Sequence, residues 1–394
     1  MSNDTQPEIR FPGFTEDWEQ RKLSELATMN ARIGWQNLRT SEFLDKGDYM
    51  LITGTDFKDG AIDYSNIHYV ERERFEQDKK IQISNGSILI TKDGTLGKVA
   101  YVEGLTMPAT LNAGVFNVRV KENLAIDSRY LFHYLKAPFL LKFADQRSTG
   151  GTIKHLNQNV LVEFPIPLPS LEEQHKVAGL LSNFDNTIAL HQRKLDLLKE
   201  TKKGFLQKMF PKNGAKVPEI RFPGFTEDWE QCKLGDIAKM YQPPTISGSE
   251  LLDTGYPVFG ANGYIGFYSK SNHLEDQVTI SARGEGTGTP SYVKAPVWIT
   301  GNSMVINVED FDINKKFLYA MLLSYSLKKY ITGGAQPQLT RDVLLKVPII
   351  IPSYNEQFKI GTFFKQLDDT IALQQRKLDL LKETKKGFLQ KMFV

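Results

Sequence analysis

Two segments occur twice in this chain, and together they bracket the rest of it. The segment PEIRFPGFTEDWEQ at residues 7–20 returns unchanged at 218–231, an offset of 211 residues. The segment TIALHQRKLDLLKETKKGFLQKMF at 187–210 returns at 370–393, an offset of 183 residues, with His191 replaced by Gln374. The chain is therefore two tandem halves with fixed ends, and the first half has 28 more residues between those ends.

The middles of the two halves have diverged but are still related. Residues 88–94 (ILITKDG) match 278–284 (VTISARG), and a glycine-rich turn and a Tyr-Val pair follow both. Residues 126–131 (IDSRYL) match 313–318 (INKKFL). Nearly identical ends with divergent middles indicate one scaffold that carries two different contact surfaces.

The repeated C-terminal segment predicts a long helix in each half. The proline-rich residues 164–169 lead to Ser170 and Glu173, which have the spacing of a capping box, as do Ser353 and Glu356. Seam residues then follow in alternating steps of four and three, the heptad pattern of a coiled coil. The predicted seam is Val177, Leu181, Phe184, Ile188, His191, Leu195, Leu198, Lys202, Phe205 and Met209, then Ile360, Phe364, Leu367, Ile371, Gln374, Leu378, Leu381, Lys385, Phe388 and Met392. Each helix has about 41 residues and spans roughly 60 Å.

A helix of this length with a narrow seam needs a partner, and the equally long seam in the chain is the other copy. The first helix delivers the chain to the second half at its far end, so the second helix must run back along it. The two helices are therefore predicted to form an antiparallel coiled coil. The polar seam residues His191 and Gln374 are either register markers near its middle or simply a buried polar pair.

The middles predict mixed α and β structure. Short alternating strands at 86–91, 115–120 and 304–308 accompany one helical stretch in each half, at 130–143 and 317–330. We therefore predict an α+β fold: two α+β domains separated by a long antiparallel two-helix coiled coil, with pseudo-two-fold symmetry. The predicted segments are 1–157 (first repeat and first domain), 158–217 (first long helix with its linkers), 218–340 (second repeat and second domain) and 341–394 (second long helix).

Composition excludes several classes of function. The formal net charge is only +3, so any surface that binds nucleic acid must be local. The single Cys232 and six scattered histidines predict neither a disulfide framework nor a metal site. No apolar run approaches the ~18 residues of a membrane span, so we expect no membrane partner and a cytoplasmic protein. The phosphate-binding patterns GxGxxG and GxxxxGK[ST] are absent, and no catalytic constellation is evident, which predicts a protein that is not an enzyme.

One loop in each middle combines glycines with polar or cationic side chains. These loops are residues 92–98 (KDGTLGK) and 283–289 (RGEGTGT). Arg, Lys, Asn, Gln and Thr side chains on such loops are the types that read base edges in DNA. The alternative is that both loops are plain turns between strands.

The order of these features resembles the specificity subunit of type I restriction-modification systems. The resemblance rests on the twice-written FPGFTEDWEQ, the proline-rich run before Glu173 and Gln174, and the near-identical long helices, and it covers the whole chain. It implies two target-recognition domains that each read one half of a bipartite, asymmetric site in double-stranded DNA. It also implies recruitment of two modification (methyltransferase) subunits and, through them, two restriction (translocase and endonuclease) subunits. The S-adenosylmethionine, ATP and magnesium then belong to those partners, and this chain carries no cofactor of its own.

The family does not fix which residues contact DNA, so the candidates come from the loops. Those of the first domain are Lys92, Thr95, Lys98, Thr149, Lys154 and His155; those of the second are Asn262, Tyr264, Arg283, Thr287, Gln336 and Gln338. Trp18 and Trp229, in the short repeat, are candidates either for anchoring the partner subunits or for core packing. The competing hypotheses are a coiled-coil scaffold that carries two protein-binding or carbohydrate-binding modules, and an enzyme with an unrecognised site.

Overall fold

The computed structural model describes residues 6–147, 155–212, 214–284, 286–333 and 337–393. The chain forms two compact units, one of Met1–Leu190 with Leu378–Val394 and the other of His191–Lys377. None of the helices in the described ranges is long and apolar enough to cross a membrane.

The first unit is built on two four-stranded sheets. Its strands are β1 (Glu19–Lys22), β2 (Ala27–Ala31), β3 (Met50–Ile52), β4 (Phe57–Lys58), β5 (Ala61–Ile62), β6 (His68–Tyr69), β7 (Gln82–Ile83), β8 (Ile88–Thr91), β9 (Val99–Tyr101), β10 (Ala109–Leu111), β11 (Val115–Val120) and β12 (Pro165–Leu168). Its helices are α1 (Leu23–Leu26), α2 (Arg72–Glu76), α3 (Ser128–Lys136), α4 (Phe139–Gln146), α5 (Gln158–Leu161) and the first part of α6 (Leu171–Lys208). One sheet is antiparallel with order β2-β11-β8-β9, and the other, β6-β3-β10-β7, contains one parallel pair, β3 with β10.

Strand β8 is buried on both faces, which explains its unbroken apolar sequence. Successive side chains of a strand point to opposite faces. Accordingly Ile88 and Ile90 join the core that contains Tyr130 of α3, whereas Leu89 joins a second core with Ile52 of the other sheet. The first domain therefore has an apolar core on each side of strand β8.

The second unit repeats this plan. Its strands are β13 (Glu230–Lys233), β14 (Lys239–Tyr241), β15 (Tyr256–Gly260), β16 (Gly263–Tyr268), β17 (Gln277–Ser281), β18 (Pro290–Val293), β19 (Trp298–Ile299), β20 (Ser303–Asn307) and β21 (Pro348–Ile351). Its helices are α7 (Lys315–Ser324), α8 (Arg341–Leu344) and α9 (Tyr354–Lys391), of which the last part belongs to the first unit. The antiparallel sheet β14-β20-β17-β18 matches β2-β11-β8-β9 strand for strand, and a smaller sheet has the order β16-β15-β19. The predicted α+β class is confirmed in both middles.

The predicted single helical stretch in each middle is wrong in one respect, because both stretches are broken. In the first, α3 ends at Lys136 and α4 begins at Phe139. Pro138 disfavours helical geometry in the residue before it, and Ala137 is extended with ψ of 159°. In the second, α7 ends at Ser324, and a 3-10 turn covers Leu327–Tyr330.

The two long helices, α6 and α9, have 38 residues each and pack in opposite directions. Within the first unit the rings of Phe184 and Phe388 pack at a tilt, with their centroids 5.4 Å apart. Within the second unit Phe205 meets Phe363 at 5.0 Å. A higher number on α6 meets a lower number on α9, so the predicted antiparallel pairing is confirmed. All predicted seam positions are buried or half-buried.

The polar positions of the seam are hydrogen bonded within it. Lys202 pairs with Asp368 in the second unit, and its repeat equivalent Lys385 pairs with Asp185 in the first. The Gln374 amide donates to the His191 carbonyl oxygen at 3.3 Å and also contacts the imidazole Nδ1. These pairs satisfy the buried polar groups that interrupt the apolar seam.

The predicted capping boxes are replaced by a longer-range arrangement. Ser170 accepts from the Glu173 backbone N–H at 3.4 Å, but the Glu173 carboxylate turns to Arg10 of the short repeat. Glu356 likewise binds Arg221, the equivalent arginine of the second repeat. The short repeat of each half is thus tied to the first turn of its own long helix.

A glutamine follows each of these glutamates, and its side chain bonds to the residue that precedes the domain helix, α3 or α7. Gln174 accepts the backbone N–H of Asp127, which precedes α3, at 2.8 Å, and donates to the Pro169 carbonyl oxygen at 2.8 Å. Gln357 makes the equivalent bonds to Asn314, before α7, at 3.1 Å and to Pro352 at 3.0 Å. Each domain is therefore bonded to the start of its own long helix.

Candidate nucleic-acid interface

The two glycine-rich loops occupy equivalent places in their units. The first joins β8 to β9 and the second joins β17 to β18. In the first, Lys92 donates its backbone N–H to Gly114 at 2.9 Å, and its carbonyl oxygen accepts the N–H of Leu156 at 3.1 Å. The backbone makes both bonds, so they do not depend on which side chain stands at residue 92.

The second loop has the same backbone bonds. Ala282 donates to the Asn302 carbonyl oxygen at 2.9 Å and accepts the N–H of Leu339 at 3.0 Å. The bonds inside the loops also match, since Gly97 donates to Thr91 at 2.9 Å and Gly288 donates to Ser281 at 2.8 Å. One backbone framework therefore presents two different sets of side chains.

In the first domain, Thr95 and Lys98 are exposed at the rim of the loop. Their backbones are fixed by Thr91, whose hydroxyl donates to the Thr95 carbonyl oxygen and accepts the Lys98 N–H. Lys92 is half-buried, with its ammonium 5.8 Å from the centre of the Phe116 ring. Thr95 and Lys98 are thus free to contact a ligand, whereas Lys92 is partly held by its own domain.

Asp93 is the residue of this loop that the sequence did not single out. Its carboxylate lies 2.6 Å from His155 Nδ1 and 3.8 Å from Lys92 Nζ. His155 is 75% exposed, so the pair is at the surface. A carboxylate can accept a hydrogen bond from the amino group of cytosine. In the sequence, the position of Asp93 between Lys92 and Gly94 at the start of the turn was the feature that could have identified it. The first loop therefore offers hydrogen-bond donors and an acceptor side by side.

In the second domain, the structure pairs Arg283 with Gln338 and places Asn262 against the same loop. Arg283 is exposed and forms an isolated antiparallel bridge with Gln338. Asn262, in the turn between β15 and β16, lies against Gly286 of the loop: its Oδ1 is 2.6 Å from where a β-carbon on that glycine would stand. Tyr264 follows at the start of β16 and is more than half exposed.

Thr287 differs from its predicted role as an exposed contact. It is buried, and its hydroxyl donates to the carbonyl oxygens of Gly284 at 2.6 Å and Pro337 at 3.1 Å. The hydroxyl is therefore occupied in closing the loop. The candidates Thr149, Lys154 and Gln336 lie outside the described residues.

Trp18 and Trp229 are both core residues. The Trp18 indole is 5% exposed and its N–H donates to Glu173 at 3.2 Å. Trp229 is 3% exposed and packs edge-on against Phe210 and Phe317. Their burial gives them the packing role and leaves little surface for anchoring a partner.

Within the described ranges, no group of three or more His, Cys, Asp or Glu side chains is placed to hold a metal ion. What the two loop surfaces offer chemically is a set of exposed donors and acceptors. These are the groups that recognise base edges and phosphates.

Comparison with known proteins identifies the family of the chain. The family model for the type I restriction modification DNA specificity domain matches residues 15–200 and 226–383. The type I restriction enzyme MjaVIII specificity subunit of Methanocaldococcus jannaschii is 24% identical, over 94% of this chain and 95% of the relative. The MjaIX specificity subunit of the same organism is 23% identical, over 96% and 93%. The crystal structure of the type I restriction-modification S subunit from M. genitalium shares the fold, with a TM-score of 0.70, 18% identity and 99% of each chain covered. The chain belongs to the family of type I restriction-modification specificity subunits.

Proposed function

We propose that this chain is a non-catalytic subunit that reads a bipartite, asymmetric DNA site. The first recognition domain, within residues 1–157, reads one half of the site, and the second, within 218–340, reads the other. The long helices set the unread gap between the halves. The chain acts in the cytoplasm, on double-stranded DNA, as part of a methyltransferase and endonuclease complex.

The observation that carries this proposal is the equivalence of the two loops. Both are held by the same pattern of backbone bonds, yet one carries Asp93 and Lys98, with His155 beside it, and the other carries Arg283, with Asn262 beside it. A frame that is constant and side chains that differ are what two independent readings of base sequence require. A plain scaffold has no need of two such exposed polar sets.

We also propose that the duplicated helical surface recruits two modification subunits. Two identical partners need two equivalent patches. The repeated segments carry equivalent exposed leucines two helical turns apart: Leu190 and Leu197 on α6, and Leu373 and Leu380 on α9, all 54–68% exposed. The modification subunits in turn recruit two restriction subunits, and these partners carry the S-adenosylmethionine, ATP and magnesium.

The test is an exchange of one domain in the complex with the modification subunit. Residues 21–146 are replaced by the corresponding domain of another family member, and methylation is mapped across a genome. We expect one half of the methylated site to change while the other half and the gap are retained. Change in both halves, or in neither, contradicts independent reading.

The same complex separates the proposal from the alternatives. A coiled-coil scaffold for protein or carbohydrate binding gives no sequence-specific methylation with any modification subunit. The purified chain alone should neither methylate nor cut DNA, so methyl transfer by the chain without partners favours an enzyme instead.

A further inference from the structure

Two neighbouring apolar side chains stand exposed on the hairpin of β15 and β16. Tyr264 is 56% exposed and Ile265 is 50% exposed. On a regular strand, adjacent side chains point to opposite faces, so in a strand that covers a core one of the two is buried. Here both remain open to solvent, next to the polar loop of the second domain.

A β-bulge produces this arrangement. Phe259 pairs with Tyr264 and Val258 pairs with Gly266, so Ile265 is the extra residue without a partner in the ladder. Gly266 has a φ of +153°, a conformation that residues with a β-carbon rarely adopt. Bulges bend the strand and re-aim side chains, and they are frequent beside functional sites.

Both side chains are held in place by the hairpin itself. The Tyr264 ring packs edge-on against Phe259, with centroids 5.2 Å apart. The Ile265 Cγ2 methyl lies 3.4 Å from where a β-carbon on Gly260 would stand, so the side chain covers that glycine. The pair is therefore preorganised, which reduces the ordering cost when a ligand binds.

The apolar tip borders the candidate DNA interface. Asn262, two residues before Tyr264, lies against Gly286 in the loop that begins at Arg283. Exposed apolar side chains grouped beside hydrogen-bonding groups are typical of interaction sites, and Tyr264 and Ile265 stand beside Asn262 and the loop that it contacts.

Groove dimensions decide which part of DNA this hairpin fits. Two paired strands are about 4.8 Å apart before their side chains are counted. The major groove, about 12 Å wide, admits such a ribbon in undistorted DNA, whereas the minor groove, about 6 Å wide, admits strands only when the DNA is deformed. In the major groove the apolar group that a base edge presents is the 5-methyl group of thymine.

We propose that Tyr264 and Ile265 enter the major groove of the second half-site and read thymine through its 5-methyl group. This inference rests on the proposed function and adds to it the chemical class of base that the second domain selects. The first loop, with Lys98, Asp93 and His155, reads its half-site through polar contacts.

Deoxyuridine provides the test, because it differs from thymidine only by lacking that methyl group. The full chain in complex with its modification subunit is bound to duplexes that carry the mapped site, with each thymine of the second half-site replaced in turn by deoxyuridine. Burial of one methyl-sized group corresponds to about a fourfold change in the dissociation constant, so we expect a loss of about that size at one position or more.

Variants then link the loss to the hairpin. With Tyr264→Ser and Ile265→Ser combined, thymine and uracil duplexes should bind equally. The matched control Leu274→Ser removes a leucine that is 81% exposed outside the hairpin, and the complex should retain the difference between thymine and uracil. The measurement on the unaltered protein needs no variant, so a folding defect cannot hide the answer.

Two results overturn the inference: equal binding of thymine and uracil duplexes at every position, or a difference between them that survives in the double variant. Failure of the proposed function gives a different result. In that case the complex does not discriminate between bases anywhere in the second half-site, and both proposals fall.

Discussion

Arg10 and Glu173 form a two-pronged ion pair across 163 residues of sequence. The guanidinium donates from Nε and Nη2 to the two carboxylate oxygens at 2.8 and 2.9 Å. The Glu173 side chain is 1% exposed, and it also accepts from Trp18. The short repeat is therefore fixed to the long helix by a charge pair that is almost wholly out of solvent.

Removing Arg10 should destabilise the first unit strongly, because the glutamate carboxylate is left buried without its counter-charge. For Arg10→Ala we expect a loss of about 3 kcal/mol in the free energy of unfolding, measured by urea denaturation. The double variant Arg10→Ala with Glu173→Gln should recover part of that loss, because no buried charge remains. Equal losses in the single and double variants contradict the explanation that the unpaired buried carboxylate causes the loss.

His133 gives the chain a pH-dependent stability. The side chain is 1% exposed, and its Nε2 contacts the Ser182 hydroxyl at 3.0 Å. Burial, helped by nearby Lys385, lowers the pKa of His133 to about 3. In the unfolded chain the pKa of His133 is about 6.5. Below that pH the unfolded state therefore binds a proton at His133, whereas the folded state does not until the pH approaches 3.

The stability that neutral His133 contributes is therefore complete above about pH 6.5 and is lost as the pH falls toward 3. Between pH 6.5 and 5 we expect the native chain to lose about 2 kcal/mol more than His133→Gln, which has no titrating group there. The measurement is urea denaturation at a series of pH values. Parallel curves for the two proteins contradict the burial of a neutral histidine.

The sequence predicted the long helices well because their pattern is local and repeated. Steps of four and three identify the seam without any knowledge of the partner helix. The polar residues Lys202 and Lys385 also lie in the seam, as their positions in the pattern predicted. The break at Pro138 was also readable, since proline restricts the residue before it. This break was missed because the residues before and after Pro138 both have a helical pattern.

What the sequence could not supply is pairing between distant residues. Ser170 and Glu173 have the spacing of a capping box, but the Glu173 carboxylate forms an ion pair with Arg10 instead. The buried position of Thr287 depends on Pro337, 50 residues later. Asp93 became a candidate only when His155 was found beside it.

Arg283 and Lys199 should separate base reading from backbone attraction. Both are exposed, Arg283 on the second loop and Lys199 on α6. We expect Arg283→Ala to weaken binding to the native site by about 1–3 kcal/mol and to relax one position of the second half-site. Lys199→Ala should weaken binding to all DNA sequences alike, and it should reduce the slope of log affinity against log salt concentration by about 1.

The measurement is binding of the complex to a library of sites at several salt concentrations. An unchanged sequence profile in Arg283→Ala removes this arginine from the residues that read bases. A changed profile in Lys199→Ala contradicts its assignment to non-specific attraction.

The length of the unread gap should follow the length of the two helices. Inserting one heptad after Leu198 and one after Leu381 keeps the seam in phase and lengthens the pair by about 10 Å. At ~3.4 Å per base pair this corresponds to roughly three more base pairs in the gap.

Three base pairs also rotate the duplex by nearly a third of a turn, since one turn is about 10 base pairs. One domain then meets a different face of the DNA, so total methylation should fall. The remaining activity, mapped by methylation of sites with varied gaps, should favour the longer spacing. A control with a heptad in one helix only loses its pairing partner and should be unstable. An active protein with both insertions and the original spacing shows that the helices do not set the gap.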